Sequence, residues 1–261
     1  MNRVKKELEI LKSWGIESIP VSKVLCMIGE AEGSSKISSV EQDTETPGAT
    51  VATTPVGGTI FYIDDTADGE YQFFDADGNI IDNINVGDKP YAYRVIKQGF
   101  KDKYYVYHDK IYDNVRWTYW KDNDYVYESL STSKGIGSGK VNTEIVMAKD
   151  SGAYITVDSN RMSTVWYRLQ QIRNERVGGC DDWFVPSVDE LNLLRLAIKS
   201  GSITGGIIAG FPYDDSVFTN KWLWSSSELL SQRAWYWYYA RQRWEGGNKG
   251  LDFSVIFTRA F

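Results

Sequence analysis

Cysteine is nearly absent from this chain. Its 261 residues hold two, Cys26 and Cys180, far apart and in differently composed surroundings. That excludes a disulfide framework, and the pair lacks any zinc-site spacing. Two thiols in a reduced protein are what remains. Histidine is scarcer still, with His108 the only one. Any Ser-His-Asp or Cys-His arrangement would have to be built around it, yet Tyr107, Asp109 and Lys110 beside it read as a strand edge or loop. Positive charge is also in deficit. A net charge of −6 argues against a nucleic-acid binder held by phosphate contacts. Long apolar runs are missing. Val24-Leu-Cys-Met-Ile28 is too short to span a bilayer, and Glu7 and Glu9 interrupt the place where an export signal needs its apolar core. The expectation is a chain without signal peptide or membrane insertion, made in the cytoplasm and reaching the outside only on a larger particle.

Aromatic residues are abundant. They make up 14% of the chain, with 10 Trp and 17 Tyr beside 23 Gly and only 6 Pro. Such a mixture favours a strand-rich and turn-rich fold. The length suits one large domain or two small ones.

Along the chain, Val4, Leu8 and Leu11 recur at helical spacing up to Gly15. Ser22 can cap a second helix through Val24, Leu25 and Ile28. Residues 1–32 are therefore expected to be helical. Such a segment cannot bury its apolar stripe alone; it docks on the body, on a copy of itself or on a partner. Residues 33–56 are rich in Ser, Thr, Gly and Pro and read as a linker, leaving one domain over 57–261. Strand character begins at Val56-Gly-Gly-Thr-Ile-Phe-Tyr-Ile63. Asp77-Gly78 then sits between two apolar runs as a hairpin signal. Residues 91–127, rich in Tyr, read as further strands of a meander. After a Gly-rich connection at Lys134–Lys140, Val165, Leu169 and Ile172 form a helical stripe, with Ser163 as cap and Gly178-Gly179 as stop. Ser187 and Glu190 make a capping box for a second helix, whose buried face is Leu191, Leu194 and Ile198. In the last strand Phe253, Val255 and Phe257 share a face. Strands, two helices, then strands again predict an α+β domain.

The last forty residues differ in kind. Trp222-Leu-Trp-Ser-Ser-Ser-Glu228 and Phe253-Ser-Val-Ile-Phe-Thr-Arg-Ala-Phe261 flank a stretch dense in Trp, Tyr, Arg, Gln and Gly. Tyr and Trp give large contact area at small entropic cost, and Arg adds directional charge, so this is the composition of a binding surface. Over 235–240 both faces of a strand are aromatic, and a strand buried on both sides competes with the binding reading there. The polar and glycine residues of Arg241–Gly250 cannot fill a core and are expected to be exposed, with Trp244 as their anchor. On this reading, replacing Tyr238, Arg243 and Trp244 by Ala barely alters stability.

Four tracts occur together: Asn142-Thr-Glu-Ile-Val-Met147; Gly178-Gly-Cys-Asp-Asp-Trp-Phe-Val-Pro-Ser187 followed by Glu190-Leu191; Trp224-Ser-Ser-Ser-Glu228; and Thr258-Arg-Ala-Phe261. In these the chain resembles the variable proteins of diversity-generating retroelements in bacteria and their phages. The resemblance spans about 57–261, is strongest from 135 onward and does not reach 1–56. It implies a C-type-lectin-like α+β fold of the formylglycine-generating-enzyme-like subgroup, with the Tyr-rich part as a β elaboration. It also implies a non-enzymatic receptor-binding or adhesive protein without cofactor or metal, displayed on a phage tail or cell surface. The partner would be a macromolecular ligand, a bacterial surface protein or a glycan. Attachment or homo-oligomerisation would fall to residues 1–32. The ligand-facing positions it implies are Leu229, Leu230, Gln232, Arg233, Tyr236, Tyr238, Tyr239, Arg241, Arg243, Gly246, Gly247, Asn248, Gly250, Leu251, Asp252 and Ser254. Ser225, Ser226, Ser227, Ala234 and Trp235 would be scaffold. Trp237, Gln242, Trp244 and Glu245 stay open, because adenine-directed mutagenesis of AAC-like codons does not readily give them; Trp244 joins the candidate set on its physical character.

Several local patterns fail their tests. Gly135-Ile-Gly-Ser-Gly-Lys140 has Lys134 where a phosphate loop needs its first Gly, and Val141 where it needs Ser or Thr. Asp64-Asp-Thr-Ala-Asp-Gly69 begins like a calcium loop but would place Asp75 where the bidentate Glu belongs. The Glu/Gln-Pro-Asn/Asp and Trp-Asn-Asp motifs of calcium-dependent sugar binders are missing. No Gly-x-Ser-x-Gly elbow surrounds Ser225–Ser227. Cys180 alone does not supply the cysteine and copper chemistry of formylglycine-generating enzymes. Two other readings stay open: a structural component of a phage or surface assembly, and a formylglycine-type or carbohydrate-active enzyme.

Overall fold

The computed structural model describes residues 53–121, 124–155, 163–200, 221–238, 241 and 243–261. The predicted helical segment over 1–32, Cys26 and nearly all of the predicted linker lie outside the described residues. Every described residue belongs to one compact unit, Val51–Phe261. Its strands are β1 (Thr54–Pro55), β2 (Thr59–Ile63), β3 (Glu70–Phe74), β4 (Ile80–Ile81), β5 (Ala92–Lys97), β6 (Tyr104–Arg116), β7 (Trp120–Lys121), β8 (Asp124–Tyr125), β9 (Ser163–Thr164), β10 (Trp222–Leu230), β11 (Arg233–Tyr238), β12 (Arg243–Asn248) and β13 (Phe253–Ala260). Among the described residues three α-helices lie between β8 and β10: α1 (Ser138–Ala148), α2 (Val165–Asn174), which follows β9, and α3 (Val188–Lys199). The fold is mixed α+β and dominated by sheets.

The large sheet runs β12-β11-β10-β13-β6-β2, with β9 pairing beside β6. Helices cover both of its faces. On one, α1 and α2 bury Val146, Trp166, Leu169 and Ile172 against Trp117, Trp224, Val255 and Phe257. On the other, α3 buries Leu191 and Leu194 against Phe61, Tyr105, Leu223, Trp237 and Ile256. The alternation of β13 explains the division, since Val255 and Phe257 point one way and Ile256 the other. A third core joins this sheet to the small sheet β1-β5-β3-β4 through Val56, Ile60, Phe73, Tyr93, Val106 and Phe261. There the Tyr93 and Phe261 rings stack at 3.9 Å.

Local chemistry accounts for the helix starts and turns. Ser187 and Glu190 form the expected capping box of α3. At α2 the cap is Thr164, one residue after the expected Ser163; its Oγ1 accepts the Tyr167 N–H at 2.9 Å. The Asp77-Gly78 hairpin joins β3 to β4, with Gly78 at φ 84°. Asp75 holds that turn by accepting the Asp77 and Asn79 N–H groups.

Three expectations need correction. Residues 91–127 are not a meander. β5 joins the small sheet, whereas β6 pairs with β2 and β13 in the middle of the large one. Within the Tyr-rich segment β6 is thus an interior strand of the large sheet, with Tyr105 and Tyr107 buried. The domain also starts before residue 57: Thr54 and Pro55 pair with β5, and Val56 is fully buried. Finally, α1 grows out of the Gly-rich connection. Gly137 stands before it at φ 84°, and Gly139 lies in its first turn. A Cβ on Gly139 would come within 2.1 Å of Glu190 Oε2. The Gly137 and Gly139 N–H groups donate to Glu190 Oε1, and the Ser187 N–H donates to Oε2. The amides that imitate a phosphate loop are therefore spent on an internal carboxylate.

Candidate functional site

The predicted site lies on the last four strands of the large sheet. β10 and β11 form a hairpin through Ser231 and Gln232, and β11 returns as β12. β12 is the edge strand. Arg233 pairs with Asn248 at one end of the β11–β12 ladder and Tyr238 with Arg243 at the other. Five residue steps separate these ends, roughly 17 Å.

Eight candidate positions are exposed: Leu230, Gln232, Arg233, Arg241, Arg243, Asn248, Leu251 and Asp252. Five of them, Leu230, Gln232, Arg233, Asn248 and Leu251, gather at one end. There the turn before β11 and the turn after β12 touch, the Lys249 N–H donating to Gln232 O at 3.0 Å. Arg241 and Arg243 sit at the other end. Leu229, Tyr238, Trp244 and Gly246 are half-buried, and Tyr239 lies outside the described residues.

Four candidates are buried and do not face solvent. Tyr236 packs on Trp224 and Phe253, at 5.9 Å and 4.7 Å between rings. Gly247 leaves room for that ring, which an added Cβ would approach to 2.8 Å; Gly250 does the same for Tyr125 at 2.7 Å. Ser254 Oγ donates to Asp113 Oδ1 at 2.6 Å. Trp237 is buried on the opposite face, with the Arg195 guanidinium 4.5 Å from its ring. Between 235 and 238 the strand buried on both sides prevails for Tyr236 and Trp237. Trp244 meets Trp237 at 5.4 Å and 70°, so it is in part a core residue.

The backbone under the exposed turns is pinned from below. Lys249 was expected to be exposed with its neighbours, yet its side chain is wholly buried and ion-paired to Glu228. Its ammonium also donates to Glu128 O at 2.9 Å and lies 4.3 Å from the Trp117 ring. Burial pulls its pKa down, while Glu228 opposes that shift. Glu228 in turn accepts the Leu130 N–H at 2.8 Å. Nothing in the local sequence marks Lys249; its role depends on the distant 117–132 segment. Asn248 accepts from Tyr127 OH at 2.9 Å, and Asp252 from Arg116 Nε at 2.8 Å. Toward the other end, Glu245 accepts from Tyr236 OH at 2.8 Å and Arg243 Nε at 2.5 Å. These two bonds, Tyr236 first, hold its carboxyl below the usual range.

The tracts that carry the resemblance meet in space beneath this face. Asn142 Nδ2 donates to Ser226 Oγ, Val185 N to Thr143 Oγ1, Ser226 N to Pro186 O, and Val188 N to Ser227 Oγ. Phe184 bridges Thr258, and Arg259 pairs with Asp182. Ser226 and Ser227 are satisfied this way, and the buried Ser225 Oγ donates to Trp235 O at 2.8 Å, as buried hydroxyls require. Ser225, Ser226, Ser227 and Ala234 are all buried, while Trp235 is half-buried. Among the described residues no group of three His, Cys, Asp or Glu is placed to hold a metal ion, and no helix is long and apolar enough to cross a membrane. No protein-family model, curated protein or solved structure matches this chain.

Proposed function

We propose that this protein is a non-enzymatic binder that presents the turns around β11 and β12 to a macromolecular ligand, a bacterial surface protein or a glycan. It is a C-type-lectin-like variable protein of a diversity-generating retroelement, carried on a phage particle, and residues 1–32 attach or oligomerise it. One observation carries the reading: display and support are separated within a few residues. Leu230 and Leu251 are 60% and 46% exposed beside Arg233, Gln232 and Asn248, while Lys249 between them is 0% exposed. Apolar anchors ringed by polar groups are what a protein-binding patch uses. Anchored turns let such side chains change without cost to the fold.

Two tests address the two parts. DNA downstream of the coding region should hold a near-copy of the segment for about residues 225–261, differing at adenines in the codons of the exposed turns. A flanking region without that repeat sinks the retroelement reading. Binding is tested separately on an array of bacterial surface proteins and glycans. Joint replacement of Leu230, Gln232, Arg233 and Leu251 by Ala should abolish capture and change stability by no more than about 0.5 kcal/mol per site. Capture that survives the replacement places the ligand elsewhere.

A further inference from the structure

A second cleft opens at the far edge of the large sheet, with a volume of about 590 Å³. Five inter-strand spacings, roughly 24 Å, separate that edge from β12. The outer edge of β6 is covered by β2 up to Tyr107 and by β9 only from Val115. His108 and Asp109 stand at the first uncovered positions and line the cleft with Lys89 and Tyr91. Gly57 and Gly178 form its floor, at φ 78° and 66°. A Cβ on Gly178 would lie 2.8 Å from Gly57 Cα, so the two backbones cross there and no side chain fills the floor.

The charges of the wall cancel. Lys89 is ion-paired to Asp109, which also accepts from Thr59 Oγ1 at 3.1 Å. His108 lies edge-on to Trp183, with ring centroids 5.4 Å apart, and burial lowers its pKa, which favours the neutral imidazole. A strongly charged ligand would have to break the Lys89–Asp109 pair. A hydroxyl group does not, because it accepts from an ammonium and donates to a carboxylate at once. Tyr91 is 65% exposed and offers a free ring at the rim. The volume is that of an ordinary small-molecule site.

We propose that this cleft binds a neutral, hydroxyl-rich ring, a pyranose sugar. Asp109 and Lys89 hydrogen-bond adjacent hydroxyls, and Tyr91 stacks on the apolar face of the ring. The site is independent of the C-terminal turns and needs no metal.

The full chain is titrated calorimetrically with methyl glycosides of glucose, galactose, mannose and N-acetylglucosamine, and with inorganic phosphate and glycine as charged probes. At least one glycoside should bind. Asp109→Asn and Tyr91→Ala should each weaken it about tenfold, the loss of one hydrogen bond to a charged group or of one stacking face. Tyr91 is exposed and Asp109 half-buried, so the melting temperature serves as the control for folding. The Ala variant of Leu230, Gln232, Arg233 and Leu251 should bind the glycoside unchanged. The proposal is overturned if no glycoside binds at tens of millimolar, if both single variants bind normally, or if phosphate or glycine binds in preference to the sugars.

Discussion

Lys249 shows how little of a residue's role lies in its neighbours. Its sequence context, Gly-Gly-Asn-Lys-Gly, reads as exposed loop, yet the ammonium is buried against Glu228 and Trp117. Removing one partner of a buried pair leaves the other charged and desolvated. Lys249→Ala should therefore cost about 3–5 kcal/mol, and the double change Glu228→Gln with Lys249→Met should recover most of it. Urea unfolding measures both. Glu190 gives a prediction in pH. Burial raises its pKa to about 7 from the ordinary 4.5, against the three amides that favour the charged form. The folded state then binds the proton more tightly than the unfolded chain. Between pH 4.5 and 7 the folded state holds more protons, so stability falls as pH rises through that window. Glu190→Gln, less stable throughout because one oxygen acceptor becomes a donor, should lose that slope. A fall between pH 5 and 7 of the same size in both proteins removes Glu190 as its source. The capping role of Glu190 was legible, since Ser-x-x-Glu is a local pattern. Its second role, caging the Gly137 and Gly139 amides, spans about fifty residues and was not.

Elements with a single buried face were readable, and those with two were not. The stripes of α2 and α3 each bury one periodic set of side chains, so composition and spacing suffice; β13 is buried on both sides, and only its Phe253, Val255 and Phe257 face was legible. α1 escaped because two of the glycines that ordinarily end a helix stand at its start, Gly137 just before it and Gly139 in its first turn, and the reason for Gly139 is a contact with α3. β11 was ambiguous for the opposite reason. Its four aromatics are consecutive and fall on both faces, Trp237 against α3 and Tyr236 beside Trp224 and Phe253, so pattern alone cannot tell display from burial. The hairpin can be tested residue by residue. Trp244→Ala should cost about 2 kcal/mol, part of the 3–5 typical of a fully buried aromatic, because its ring rests on Trp237. Arg243→Ala should stay within about 0.5 kcal/mol. Gly247→Ala should cost about 1–3 kcal/mol by overpacking against Tyr236 and Phe253. Thermal melts of the three variants check the order. The expectation that Tyr238, Arg243 and Trp244 can be removed together without harm is replaced by this ranking, and a triple Ala variant that melts with the wild type would restore it.

At the scale of the molecule, the ends of the folded unit are tied to each other. The last strand, β13, lies beside β6, and the terminal Phe261 stacks on Tyr93 of the small sheet. Arg259, 3% exposed, donates to Pro55 O at 2.7 Å, Val56 O at 2.9 Å and Asp182 Oδ2 at 2.9 Å. One side chain thus fastens the first strand, the turn before α3 and the last strand. No sequence pattern links these three places, which is why the start of the domain was set a few residues late. A tie of this kind makes the two sheets one cooperative unit, because the core between them cannot open without freeing Arg259 and Phe261 together. Arg259→Ala should lower stability by about 2–3 kcal/mol, less than the roughly 3–5 of a fully buried pair broken on one side because Asp182 is 36% exposed, while unfolding stays a single transition. Tryptophan fluorescence follows the large sheet, where Trp117, Trp166, Trp183 and Trp224 are buried. Near-ultraviolet circular dichroism adds the tyrosines of the small sheet. Coincident urea midpoints in both signals, shifted equally, are the expected result. A small-sheet signal that melts first would mean that the sheets are held separately, and that the exposed turns at β12 rest on the large sheet alone.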